Sequence, residues 1–530
     1  MGEGYDYVVV GAGSAGCVLA GRLSEDPSVR VALVEAGRED KQPEIHIPAA
    51  FPALFKSSFD WDLLGEPEPG LDGRRLYLPR GRMLGGCSSI NAMIYVRGNR
   101  ADYDGWAAAG FDGWSYDDVL PYFKRSEDNE RGEDAYHGVG GPLRVGESRS
   151  MHPLVDTMLE AARLAGHEHN PDFNGARQEG VGRFQLTQRD GLRCSAADAF
   201  LRPALGRPNL DVLTEATALR ILFEGSRAVG VEVAVGSTVR SLRASEEVIV
   251  SAGAYQTPVL LMLSGIGPED QLAPFGIPVR EPLPVGHGLQ DHCMAQVNYL
   301  TDEPSLFMAT TPENFALLES EGRGALTSNI PEAGGFFRAR PGVDAPDVEF
   351  HFAPSLFFDE GLTAPSDHGY CFGPVVIQPT SRGRVMLRAP LPDSKPRVLC
   401  NFLTTPEDRE SVVSGLRMAL EIARQTPLRT VERAPFNVPE SASDEDLLAF
   451  ARRAGQTVYH PTSTCAMGAV VDSQLRVYGF EGLRVVDASV MPQITRGNTQ
   501  APVMMIAEKA VDLIRADVAD SQAVGDVRVG

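Results

Sequence analysis

Gly11-Ala12-Gly13-Ser14-Ala15-Gly16 follows directly on the apolar run at residues 7–10, and an acidic residue, Glu35, comes 19 positions after Gly16. This spacing serves the capture of a dinucleotide pyrophosphate. Gly11 permits a tight turn, Gly13 lets the backbone approach the phosphates, and Gly16 lets a helix pack close to the sheet while its N-terminus faces the negative charge. Glu35 is placed to accept hydrogen bonds from ribose hydroxyls. Glycines of an ordinary loop would not also bring a strand, a helix start and an acid at these offsets. The motif leaves FAD and NAD both open.

The elements that position this chemistry recur along the chain. Residues 7–10 and 31–34 read as strands flanking the glycine turn, and residues 41–80 read as an irregular, Pro-, Gly- and aromatic-rich extension. A second glycine turn spans 80–91, and residues 153–166 carry the apolar spacing of a helix. Residues 210–213, 218–223, 230–235 and 247–250 alternate as strands do, and the last runs into Ser251-Ala252-Gly253-Ala254 and a helix from Thr257. That is another place where backbone can touch a dinucleotide. Residues 300–455 lack such a junction; they hold strand-like runs at 348–352, 375–378 and 385–387 and a helix at 407–425. A strand at 483–486 and a helix at 501–517 follow. The chain therefore reads as a discontinuous nucleotide domain interrupted by a second domain that covers the cofactor and shapes a substrate pocket.

With 530 residues, 43% hydrophobic and 23% charged, the chain has the composition of a multidomain soluble protein. A net charge of −22 argues against nucleic acid as a partner. Seven cysteines without CxxC spacing fit reduced thiols in the cytoplasm rather than a disulfide framework or a zinc site. No metal site, signal peptide, myristoylation signal or membrane-spanning run is expected.

Four separated stretches resemble the glucose–methanol–choline (GMC) oxidoreductases. They are the Val10-to-Glu35 unit; Gly81 to Gly98 with its Gly85-Gly86-Cys87-Ser88-Ser89-Ile90-Asn91 core; Gly253 to Pro268; and the C-terminal set Val458-Tyr459-His460-Pro461, Val485 to Pro492 and Gly497 to Pro502. They span the chain in the family's order and are most similar to the choline dehydrogenase, choline oxidase and bacterial alcohol dehydrogenase branch. The resemblance implies an α/β fold: a discontinuous Rossmann-like FAD-binding domain (1–152, 194–299 and 458–530) plus a substrate-binding domain (153–193 and 300–457) whose antiparallel sheet covers the flavin. It also implies FAD rather than NAD. Choline oxidase has, at the position of Ile90, a histidine that bonds covalently to the flavin, so a non-covalent FAD is expected here.

The resemblance implies FAD contacts at Gly11, Gly13, Ser14, Ala15, Gly16, Glu35 and Ala36 in the first unit. In the second turn it implies Arg82, Gly85, Gly86, Ser88, Asn91, Ala92, Met93 and Ile94. Further along come Ala218, Ala252, Gly253, Tyr459, Asp487, Ala488, Asn498 and Thr499. His460 takes the family's catalytic-base position, where a neutral imidazole has suitable strength. Asn498 takes the second catalytic position; an amide cannot act as base, so it holds substrate oxygen, or it caps the helix at 501–517. His292 is assigned a structural role near the domain junction. Trp61, Phe357 and Phe358 are pocket or core aromatics, and Arg193 and Lys56 have no pattern around them.

These readings combine into FAD-dependent oxidation of primary alcohols (aryl, aliphatic or furanic) to aldehydes, and on to acids where the aldehyde hydrates. His460 removes the hydroxyl proton as hydride passes to flavin N5, and molecular oxygen is the expected acceptor. Rival readings are an alcohol or choline dehydrogenase with a quinone-type acceptor and an FAD-containing hydroxynitrile lyase. Homodimer assembly stays open.

Overall fold

The computed structural model describes the backbone of residues 4–529 and the side chains of residues 4–519. Among the described residues, two large sheets organise the molecule. The first is seven-stranded and built around strands Leu210–Leu213, Val31–Val34, Tyr5–Val10, Thr238–Val250 and Leu483–Val485, which run parallel in that spatial order. Buried on both faces, these strands read as nearly unbroken aliphatic runs: Val8, Val9, Val31, Ala32, Leu33, Val248, Ile249 and Val250 are inaccessible to solvent. Each Val or Leu so buried stabilises the fold by about 1.5–3 kcal/mol.

Strand Thr238–Val250 serves two pairings. Its C-terminal residues pair in parallel with Tyr5–Val10 and Leu483–Val485. Its N-terminal residues pair antiparallel with Arg227–Val235, which pairs in turn with Ala216–Glu224. The sequence pattern shows only the last four residues of this strand, because the outer half is exposed and charged (Arg240, Arg243, Glu246).

Helix Ser14–Leu23 leaves the glycine turn and packs on the parallel sheet. A Cβ on Gly16 would stand 1.8 Å from the Gly11 carbonyl oxygen, so only glycine fits that approach. Helix Gly253–Leu263 leaves the second strand–turn junction four residues earlier than the apolar pattern suggests. The C-terminal helix begins at Gln500 and packs against Ser14–Leu23 and Tyr116–Ser126.

The second sheet is eight-stranded and antiparallel, in the order Glu432–Asn437, Val297–Thr301, Gly369–Val376, Val348–Ala353, Ala333–Phe337 and Gly180–Arg183, with Cys293–Met294 and Gln456–Thr457 pairing at one side. The boundary expected at residue 300 falls inside the strand Val297–Thr301, which pairs on both sides within this sheet. Helix Pro406–Ala423 covers one face, approaching so closely that a Cβ on Gly415 would meet Pro374 at 2.4 Å. The other face, carrying Phe336, Val375 and Met294, packs on Met93, Ile94 and Val96 of the segment after the second glycine turn. No described helix is long and apolar enough to cross a membrane.

Candidate active site

A cavity of about 320 Å³ lies between the two sheets. Its wall collects residues from every separated stretch singled out above: Gly11, Gly13, Ser14, Ala15, Glu35 and Ala36; Gly86, Asn91, Ala92, Met93 and Ile94; Ala218, Ala252 and Gly253; and Tyr459, His460, Asp487, Ala488, Asn498 and Thr499.

Four further expected contacts, Gly16, Arg82, Gly85 and Ser88, do not line the cavity but adjoin residues that do. Gly16 is spent on helix packing. At Gly85 (φ +84°) and Ser88 the side of the turn that faces away from the cavity is being built: Ser88 Oγ donates to the Gly85 carbonyl at 2.6 Å and accepts from Ala196 N at 2.9 Å. Arg82 lays its guanidinium over the Trp61 ring at 4.7 Å. These residues shape the turn that Gly86 brings against the first one; a Cβ on Gly86 would lie 2.7 Å from Gly13 Cα.

The dinucleotide end follows from unspent backbone donors. Gly13 caps helix Ser14–Leu23 with no side-chain hydrogen bond, no acid sits in the first turn, and a Cβ on Gly13 would meet nothing within 4 Å. The helix N-terminus is left open to an anion. Glu35 is 7% exposed, and its carboxylate accepts from Ala12 N (2.9 Å) and Gly37 N (2.7 Å). Burial pushes its pKa up to about 7 against those two hydrogen bonds. Two carboxylate oxygens retain lone pairs for further donors. Asp487 accepts from Gly253 N (2.8 Å), Thr257 Oγ1 (2.6 Å) and Ser489 N (2.8 Å), joining two cavity-lining segments.

At the other end stands His460. It follows Tyr459, whose φ of +69° is unusual for an aromatic residue. That turn is over-determined: Tyr459 N donates to Thr457 Oγ1 at 2.7 Å, and the Tyr459 carbonyl accepts from Arg80 Nη2 at 2.6 Å. The buried Asp291 carboxylate takes Thr457 Oγ1 (2.6 Å), His460 N (2.8 Å) and His292 N (2.8 Å). The His460 ring touches Asn498 Nδ2 through Nε2 at 3.3 Å and His292 through Nδ1 at 3.0 Å. Burial holds the His460 pKa well below the ordinary value, with His292, His351 and Arg80 adding to the effect. The ring is therefore neutral at neutral pH, the form a base needs. Asn498 stands two residues before the helix begins and spends its amide on His460.

Several contributors carry no local sequence signal. His292 meets His460 because Cys293–Met294 pairs with Gln456–Thr457, which sets residues 168 apart side by side. Arg193 is 3% exposed and donates to the carbonyls of Ile45 (2.7 Å), Ser88 (3.1 Å) and Asn91 (2.7 Å), pinning the second glycine turn from behind. Gln500 accepts from Asn91 Nδ2. His351, Gln296, Cys371, Ala353, Met294 and Phe357 form the sheet side of the cavity. Phe358 instead packs edge-on against Phe436.

The wall also bears buried polar atoms without partners: Ser251 Oγ, Asn498 Oδ1 and Gln500 Nε2. Orphans of this kind call for a ligand. Together with the open helix end, the uncapped Gly13 and the Glu35 acceptor, they fit a dinucleotide carrying a polar ring system.

Comparison with known proteins agrees. Models of the GMC oxidoreductase family match residues 5–294 and 379–507. The chain is 44% identical over 540 residues to the mitochondrial choline dehydrogenase of Homo sapiens, covering 97% of this chain and 90% of that one. It is 41% identical over 538 residues to an alcohol dehydrogenase [acceptor] of Pseudomonas putida, covering 98% and 97%. Among solved structures it is similar to pyridoxine 4-oxidase from Mesorbium loti, with TM-score 0.88 and 34% identity over 96% of this chain and 98% of that one.

Proposed function

This chain belongs to the GMC oxidoreductase family, which binds FAD, and from that premise we propose that it oxidises primary alcohols with His460 as the base. The observation that carries this reading is the neutral, half-buried His460 imidazole facing the cavity beside the Asn498 amide. FAD, when bound, supplies the hydride acceptor. His460 Nε2 takes the hydroxyl proton, which frees the electron pair that expels hydride from the carbinol carbon. Asn498 donates to the oxygen as its charge develops. Gly11, Gly13 and Ser14 hold the pyrophosphate, Glu35 the ribose, and Asn91 to Ile94 the ring. The parallel layer thus serves the cofactor and the antiparallel layer the substrate. Ile90 lines the cavity and cannot bond to a flavin, which supports non-covalent FAD. Seven free thiols fit a cytoplasmic setting.

The substrate class follows from the sheet side of the cavity. The acids on the wall are Glu35 and Asp487, both on nucleotide-domain segments. Met294, Ala353, Phe357, Cys371 and Val458 leave no carboxylate to pair with a quaternary ammonium. Neutral aryl, aliphatic or furanic alcohols fit this wall better than choline, although a 44% identical relative is named a choline dehydrogenase. Molecular oxygen is the proposed acceptor, the Val458 position being shared with choline oxidase; a quinone-type acceptor is the second reading, favoured by the dehydrogenase names of both curated relatives. Anaerobic mixing of the holoenzyme with an alcohol panel, then admission of air, tests all three parts. Aryl or aliphatic alcohols should bleach the flavin faster than choline, and air should restore it. Absence of bleaching by any alcohol would remove the oxidoreductase reading in favour of a lyase, and slow recovery in air would transfer the acceptor to a quinone.

A further inference from the structure

We propose that His292 sets the tautomer of His460, accepting a hydrogen bond from His460 Nδ1 so that an unprotonated Nε2 faces the cavity. The inference rests on the reading of His460 as base.

The two Nδ1 atoms lie 3.0 Å apart, with the ring planes at 89°. Two lone pairs or two N–H groups would repel at that distance, so one ring donates and the other accepts. The rest of the His460 ring decides which. The Asn498 amide nitrogen, a donor, lies 3.3 Å from His460 Nε2, so that ring atom must accept. His460 therefore carries its hydrogen on Nδ1, and the Nδ1 of the fully buried His292 accepts it. The opposite assignment sets an N–H of His460 against the N–H groups of Asn498.

No other group can do this work. The charged or titratable neighbours of His460 are His292, His351, Arg80 and Asp291. Asp291 is spent on Thr457 Oγ1 and on the backbone N–H groups of His292 and His460. His351 is turned to Glu349 at 3.2 Å, and Arg80 to the Tyr459 carbonyl. A neutral imidazole thus stands where hydrolytic triads place a carboxylate. It orients the base without adding negative charge, so His460 stays unprotonated when no substrate is bound. Its pairing partner is held by the same carboxylate that holds its own backbone, so the two rings keep their register.

The test uses holoenzyme labelled with ¹⁵N at histidine, with His460→Ala identifying the His460 signals. The wild type should show His460 with Nδ1 protonated and Nε2 bare. His292→Leu should give a tautomer mixture and slow anaerobic flavin reduction by about 10- to 100-fold, acting on kcat more than KM, with FAD still bound. His292→Asn, whose Oδ1 can accept at the place of Nδ1, should restore most of the rate. A wild-type His460 protonated at Nε2 would overturn the inference, as would an undiminished rate in His292→Leu. If His292→Leu does not fold, the wild-type spectrum decides alone. An unimpaired His460→Ala would instead remove the base itself, so the two failures are distinguishable.

Discussion

Replacing Asn498 separates what the amide does for the reaction from what it does for the fold. Its Nδ2 lies 3.3 Å from His460 Nε2, and its Oδ1 is buried without a partner. Asn498→Ala removes one donor to the developing alkoxide and no satisfied structural hydrogen bond apart from that to His460. A hydrogen bond to a group that gains charge is worth about 1.5–3 kcal/mol, so flavin reduction should slow by about 10- to 150-fold. The thermal midpoint should hold, because a buried polar orphan leaves with the amide. Asn498→Asp sharpens the reasoning through its sign. A carboxylate at this place stabilises the His460 imidazolium and raises a pKa that burial now holds well below the ordinary value. The base form is then lost at higher pH, and the acid limb of the reduction rate should move up by about 1 to 3 pH units. Stopped-flow absorbance under nitrogen, from pH 5 to 9, measures both variants. An alanine variant within twofold of wild type, or an aspartate variant whose acid limb moves down, would refute the placement of Asn498 beside the base.

Two further outcomes follow from the geometry. Gly13 has extended backbone (φ −79°) and open space where a Cβ would point, so Gly13→Val should fold normally yet bind FAD about 10- to 100-fold more weakly by filling the pyrophosphate cradle; retention of full yellow colour after gel filtration would count against that cradle. His137 is 2% exposed between Asp172 (2.9 Å) and Glu127 (3.2 Å). Burial pushes its pKa down, but those partners outweigh it and carry it to about 9. A raised histidine pKa adds stability that is complete below about pH 6.5 and is lost as pH rises through about 9, a change of about 3 kcal/mol. Chemical denaturation across that window should show the decline, and His137→Gln should flatten it; an unchanged slope in the variant would exclude the pair.

The fold was legible where function and local structure share a few adjacent residues. Gly11 to Gly16 announces a strand–turn–helix because each glycine answers a steric demand within the segment itself, and Ser251 to Gly253 repeats the signal. The second glycine turn was legible as a turn, but not which of its faces meets the cavity. Ser88 also closes the turn, its Oγ bonding the Gly85 carbonyl and Ala196 N, and the sequence gives no sign of that partner 108 residues away. Arg193 looked patternless because its partners are backbone carbonyls, which leave no side-chain signature. His292 looked structural because its partner is brought to it by strand pairing across the chain. Asn498 admitted two roles, and the start of the helix at Gln500 leaves it outside the cap position with its amide on His460. Local chemistry was thus readable, and long-range register was not.

The flavin's colour and its loss give the most direct measurement. Purified protein given FAD should be yellow and bleach under nitrogen with an aryl or aliphatic alcohol, while His460→Ala should keep the colour and bleach at least about 100-fold more slowly. Protein that stays colourless with FAD, or an alanine variant that bleaches as fast as the wild type, would contradict it.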